Sequence, residues 1–397
     1  MRNTIRLTKQ RARVSLLIQY FLSGFIFSAL LSRFPSLQSY YGMSTVQLSF
    51  VLLSMSIGSL CTMPLCVYLV GKYGSKKMTV AGFVYILLLP VLTVMPSIPA
   101  LGAFRFLPLY LVCAIYGIFV SMLDVAINGN SIIVENAYKR PIISLFHAFY
   151  YVGVCAGASL SVLFMTKGVS VQWHYLIVSL FTVSVFAYIR RFYLKETIMH
   201  QKVASKRQIL FPKGILLMLA FVALCGRVVE GSISDWSTVY MKTVVQFPEN
   251  LAPLGLVIYS AFMSVGRFFC DAIRARYSGS TILLGCCLFA VTGVMIIISN
   301  TAFYFALLGL LVAGLGISCL VPIIYSLAGR QKDVTPAMGI AMVNTISGTG
   351  FLFGPFVIGV IADHYSMRAS FFYIWGLALV MTVLTVLYRK KERVIGK

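Results

Sequence analysis

Roughly every 30 residues this chain returns to an unbroken apolar stretch of about 20 residues, the length a helix needs to cross the hydrocarbon core of a bilayer. Twelve such stretches can be read, at 15–36, 46–70, 78–98, 106–134, 141–166, 172–189, 214–241, 252–273, 281–299, 302–328, 336–362 and 369–388. The expected fold is therefore all-α, a polytopic membrane protein of 12 transmembrane helices. With 59% hydrophobic and only 11% charged residues, and a mean hydropathy of +0.91, a soluble enzyme, a disulfide-rich secreted domain and a disordered tail are all excluded.

The net charge of +23 invites a nucleic-acid reading, which its distribution refutes. Of the 33 basic residues, 26 fall at the termini or in alternate connections between the spans. These connections include Lys72/Lys76/Lys77, Lys139/Arg140, Arg274/Arg276, Arg330/Lys332 and the segment from Arg190 to Lys213. Loops rich in Lys and Arg stay in the cytoplasm, so both termini and the central segment are expected there. Their expected partners are anionic lipid headgroups, with no nucleic acid. The run from Ser15 to about Leu37 exceeds a signal-peptide core and lacks an A-x-A site, so it reads as the first span. The nine cysteines all lie in apolar stretches without CxxC or Cys/His spacing, so no metal, cofactor or disulfide framework is expected. No GxxxxGK[ST], HExxH or nucleophile-elbow motif occurs, which argues against ATP-driven or hydrolytic chemistry.

The longest polar connection divides the chain into residues 1–189, a linker 190–213, and residues 214–397, six spans on either side. An offset of 197 residues places Gly117 on Gly314, His147 on Asn344, Gly153 on Gly350 and Gly157 on Gly354. Matches at one offset, in spans 4–5 and 10–11, point to duplication into two pseudo-symmetric six-helix bundles. In transporters built this way the solute site lies near mid-bilayer between the halves.

Ionisable groups inside a span are costly and tend to face a cavity or a partner. Span 4 carries Asp124, Asn128, Ser131 and Glu135 on one helical face, with Glu135 at the cytoplasmic end beside Lys139 and Arg140. A carboxyl in a low-dielectric cavity has its charged form disfavoured, so Asp124 is the candidate proton carrier, the alternative being a brace between helices. Span 5 offers Ser144, His147 and Tyr151 on one face with Tyr150 flanking, and His147 reads as a mid-span solute contact. Asn344 is its partner in the repeat. On span 7, Arg227 and Glu230 form either an intrahelical pair or a gate whose charges exchange partners. Arg33 and Asp235 are expected to pair across the halves as an outer latch, and Arg267 and Asp271 as a structural pair on span 8.

The connection Leu69-Val70-Gly71-Lys72-Tyr73-Gly74-Ser75-Lys76-Lys77 resembles the cytoplasmic signature of the major facilitator superfamily, with Gly71 in place of the acidic residue. Asp124-Val-Ala-Ile-Asn128 followed by Ser144-Leu-Phe-His147-Ala-Phe-Tyr150 is similar to the fucose–proton symporter branch. There an acidic residue four before an Asn handles the proton, and a Gln and an Asn on span 5 contact the sugar; His147 and Tyr150 stand in those two places. The aspartate that branch carries on span 1 is replaced by the neighbourhood of Leu31-Ser32-Arg33. The segments Ser32-Arg33-Phe-Pro35, Arg140-Pro141 and Glu230-Gly-Ser-Ile-Ser-Asp235-Trp236-Ser237 resemble a bacterial inner-membrane branch.

The resemblance implies a monomeric secondary transporter in the bacterial inner membrane, working by rocker-switch alternating access. Its partners would be a proton and a small polar solute such as a sugar. Asp124 would couple the proton, Asn128, His147, Tyr150 and Asn344 would bind the solute, and Arg33, Arg227, Glu230 and Asp235 would gate. A drug–proton antiporter and a non-transporting receptor are the alternatives left open by the sequence.

Overall fold

The computed structural model describes residues 2–138, 142–194, 212–331 and 334–395. Lys139, Arg140, Lys332 and the greater part of the central basic segment, 195–211, lie outside the described residues. Regular structure among the described residues is entirely helical. The chain divides into two compact units, Met1–Ser205 and Lys206–Lys397. Unit 1 contains α1 (Arg2–Ser32), α2 (Phe34–Tyr41), α3 (Thr45–Tyr73), α4 (Ser75–Gly82), α5 (Tyr85–Val91), α6 (Leu107–Tyr138), α7 (Ile143–Thr166) and α8 (Val171–Ile189). Unit 2 contains α9 (Ile215–Thr243), α10 (Leu254–Arg274), α11 (Gly279–Ser299), α12 (Phe303–Ser318), α13 (Leu320–Ala328), α14 (Pro336–His364) and α15 (Met367–Ile395).

Among the described residues, eleven helices are long and apolar enough to cross a membrane. The twelfth expected stretch, 78–98, differs from its reading. It starts earlier and is broken into α4 and α5, tightened at the break by short bonds from Val84 N to Ala81 O and Ile86 N to Phe83 O. Pro90, inside α5, has no N–H with which to continue the ladder. The first span also ends in a break. Arg33 adopts φ −99° and ψ 6° between α1 and α2, and Pro35 begins α2 within its first turn, where a missing donor costs nothing. At the Leu69–Lys77 connection, Gly74 takes φ +86° to join α3 to α4, a conformation that favours glycine. Lys76 Nζ then donates to Tyr193 O (3.2 Å), tying this turn to the segment after α8.

The repeat read from the sequence recurs as packing within each unit. Gly117 on α6 is pressed against Met55 O of α3, and Gly314 on α12 against Tyr259 O of α10. Likewise Gly153 on α7 abuts Phe21 O of α1, and Gly350 on α14 abuts Leu224 O of α9. Any Cβ at Gly117 or Gly153 would collide with backbone. In lipid, where no hydrophobic force draws helices together, such close approach supplies the association. Large aromatics fill what remains: Tyr20, Tyr116 and Tyr175 in unit 1, and Trp236, Tyr240 and Tyr259 in unit 2, are fully buried.

Candidate functional site

In unit 1 the polar face of α6 meets α1 and α7. Tyr20, 2% exposed on α1, donates its hydroxyl proton to Asn128 Oδ1 (2.9 Å) and lies 3.1 Å from Ser131 Oγ. Asn128 Nδ2 in turn donates to Asp124 Oδ1 (3.1 Å) and to its carbonyl (2.9 Å). The His147 ring packs edge-on against Tyr20 at 5.2 Å, while Phe146 stacks on that ring at 5.6 Å. Asp124 is exposed, and Asn128 and His147 are half-buried. The direction Asp124 faces follows from its own helix. Leu107, Leu111, Ile115 and Ile132 are the exposed large apolar residues of α6. At 3.6 residues per turn they share one stripe, and Asp124 lies about a third of a turn from its centre. The carboxyl therefore belongs to the polar cluster and not to the apolar outer stripe.

In unit 2 a second polar cluster joins α9, α13 and α14. Arg227 Nη2 donates to Tyr325 Oη (3.3 Å), whose hydroxyl donates to Asn344 Oδ1 (2.5 Å). The Arg227 guanidinium also sits 5.0 Å from the centre of the Phe351 ring, a cation–π arrangement. Asn344 takes a position corresponding to His147 at the 197-residue offset, and Tyr325 takes the position of Asn128. The same repeat positions carry the polar network in each unit.

Several pairings differ from their reading. Glu230 Oε1 is 3.3 Å from Arg267 Nη2 on α10, with the two side chains 6% and 12% exposed. Residues three apart on a helix diverge by about 60°, and here one points at α10 and the other at α13 and α14. Asp271 Oδ1 lies 3.5 Å from Arg274 Nη1. Arg33, 4% exposed, donates from Nε to His174 Nδ1 (3.0 Å) and from Nη2 to Val169 O (2.7 Å). The break after α1 turns its guanidinium to the start of α8, so it braces its own unit. Asp235 on α9 is 8% exposed.

Glu135 is an N-terminal cap for α7: its Oε2 accepts from Ile142 N (2.8 Å) and Ile143 N (3.0 Å). An anion there satisfies donors that have no partner within the helix. The expected partners Lys139 and Arg140 lie outside the described residues. Because α7 begins at Ile143, His147 sits one turn into the helix rather than at mid-span. Tyr150 packs its ring edge-on against Tyr151 at 5.2 Å, and its carbonyl lies against Gly24 of α1.

Tyr20, Gln19 and Tyr325 are the polar residues that sequence reading missed. Gln19 is fully buried and accepts a bond from Tyr193 Oη (2.9 Å). Tyr325 could have been found, because the offset that pairs His147 with Asn344 also pairs Asn128 with Tyr325. Tyr20 carries no comparable signal in a chain with 22 tyrosines. Among the described residues no three His, Cys, Asp or Glu side chains converge as metal ligands.

The sequence profile described as Major Facilitator Superfamily matches residues 16–334. An uncharacterised transporter of this type from Yersinia pestis is 28% identical over 360 residues, covering 90% of this chain and 91% of its own. The membrane protein MosC of Rhizobium meliloti is 25% identical over 375 residues, covering 93% and 88%. Among solved structures, the nucleoside transporter NupG superimposes with a TM-score of 0.71 at 13% identity, covering 96% of this chain and 99% of that one. The fucose:proton symporter FucP of E. coli gives 0.62 at 15% identity, covering 94% and 98%. At such identities the likeness is one of fold.

Proposed function

Because the chain belongs to the Major Facilitator Superfamily, it is an integral membrane transporter and not an enzyme, and we propose that it carries a small polar solute, such as a sugar, in symport with a proton. The observation that supports this reading is the hydrogen-bonded chain Tyr20–Asn128–Asp124, set away from the apolar stripe of α6. With Asp124 ionised, the Asn128 amide is held with its NH2 on the carboxylate and its oxygen on Tyr20. A proton on Asp124 Oδ1 turns that acceptor into a donor, so the amide re-pairs and presents a different face. That links the charge of Asp124 to the group beside the solute.

Asn128, His147 and Tyr150 contact the solute from unit 1 and Asn344 from unit 2. Arg227 holds Tyr325, and through it Asn344, in place. The two units move as bodies in a rocker-switch cycle, in a bacterial inner membrane with both termini cytoplasmic. An antiporter for apolar drugs would bury Asn128 and His147 in helix packing; both are half-buried, which favours the polar solute.

A thermal-shift screen of the purified protein against sugars, amino acids and nucleosides identifies the solute, since a ligand of the folded form raises its stability by mass action. In liposomes with an imposed pH gradient, Asp124→Asn should lose gradient-driven accumulation yet retain counterflow exchange. Full gradient-driven uptake by that variant would refute the proton-carrier role.

A further inference from the structure

Two features on unit 2 play no part in the solute reading. The first is a groove of about 480 Å³ between α10, α11 and α12, within the range of roughly 300–1,000 Å³ typical of ligand pockets. Its walls are apolar: Phe269 and Ile273 from α10, Phe289 from α11 and Leu315 from α12. Gly285 leaves room by carrying no side chain, and a Cβ added there would meet nothing within 4 Å. Phe269 and Phe289 remain 61% and 51% exposed, so the groove opens sideways on the helix faces that meet acyl chains.

The second feature is a polar recess of about 80 Å³ at the end of that groove, sharing Tyr277 and Ile282 with it. Arg274, Arg330, Ser278 and Ser326 line it. Arg274 Nη2 donates to Ser326 Oγ (3.1 Å) while its Nη1 lies 3.5 Å from Asp271 Oδ1. Arg330 is exposed. A third guanidinium, Arg389, donates to Oγ1 of Thr281 (3.3 Å), a residue of the groove itself. Three cations thus lie at this end, with the Asp271 carboxylate beside Arg274 and Glu392 one helical turn beyond Arg389, bonded to Tyr388.

We propose that groove and recess together hold one anionic phospholipid, an acyl chain along the groove and the phosphate on Arg274 and Arg330. An apolar trough ending on guanidinium groups matches the two-part chemistry of such a lipid. Basic pockets between membrane helices take phosphate headgroups, and a guanidinium binds phosphate with paired donors. A free phosphate would use the recess alone and leave the trough without a purpose. The bound lipid would clamp the basic ends of α10 and α13 together beside the start of α11. This inference rests on the chain spanning a membrane and not on the identity of the solute.

The test uses the delipidated full-length protein in detergent, titrated with phosphatidylglycerol, phosphatidylcholine or inorganic phosphate. Native mass spectrometry counts bound lipid, and thermal unfolding measures stabilisation. Phosphatidylglycerol should bind at one site at least 10-fold more tightly than phosphatidylcholine, and inorganic phosphate should stabilise far less. The double variant R274Q/R330Q and the groove-filling Gly285→Leu should each weaken phosphatidylglycerol binding at least 10-fold. Equal binding of the two lipids, stabilisation by inorganic phosphate alone, or wild-type affinity in R274Q/R330Q would overturn the proposal. Wild-type affinity in a monodisperse Gly285→Leu would overturn it too. Should Gly285→Leu fail to fold, R274Q/R330Q and the lipid comparison decide.

Discussion

Removing one member of the Glu230–Arg267 pair should cost unit 2 far more than removing any other described ion pair. The charges are 3.3 Å apart and the side chains 6% and 12% exposed. At an effective dielectric of about 20 their attraction is on the order of 5 kcal/mol before desolvation is subtracted. Deleting one partner strands the other in a low-dielectric interior, a loss of about 3–5 kcal/mol. For a unit of this size that corresponds to roughly 6–20 °C in unfolding temperature. The pair Lys242–Glu249 is the internal control. Its distance is shorter, 2.6 Å, but its side chains are 32% and 36% exposed, and such a pair is worth about 0–1 kcal/mol. Thermal unfolding of the purified protein in detergent should therefore show a large drop for Glu230→Gln and Arg267→Met and almost none for Glu249→Gln. The double variant E230L/R267M should recover most of the loss, because neither charge of the pair is then left buried. Additive losses in the double variant would refute the coupling.

Tyr20→Phe should weaken solute binding about 10-fold and lower stability by about 1–3 kcal/mol, as Asn128 Oδ1 loses its donor; calorimetry with the identified solute and unfolding temperature check both. Tyr325→Phe should act in the same direction through Asn344, and unchanged affinity in both variants would count against the two clusters as solute contacts. Glu135→Ala should cost about 1 kcal/mol through the lost cap of α7, seen as faster hydrogen exchange at Ile142 and Ile143. Gly117→Leu should fail to accumulate as folded protein, because its Cβ would strike Met55 O, whereas Gly285→Leu should fold; expression with size-exclusion profiles separates the two.

What the sequence determined by itself is what depends on local composition and period. A run of about 20 uniformly apolar residues satisfies its backbone in lipid as a helix, so helix number and class followed from hydropathy. The exception was the stretch 78–98, which is broken between Gly82 and Tyr85. The 197-residue offset is likewise a property of the string, and the glycines it pairs, Gly117 with Gly314 and Gly153 with Gly350, each pack against a neighbouring helix of their own unit. Spacing also placed Asp124 and Asn128 on one face, as their hydrogen bond shows.

Partner choice was decided only by the tertiary structure. Glu230 is three residues from Arg227 in sequence, yet it bonds Arg267, 37 residues away. Arg33 reaches His174 and Val169, and Tyr20 reaches Asn128 across 108 residues. A long side chain on a helix can turn toward either neighbour, and the winner is whichever helix brings a complementary group within about 3 Å. That choice rests on helix rotation and crossing, which are set by the close-packed glycines and buried aromatics between the helices.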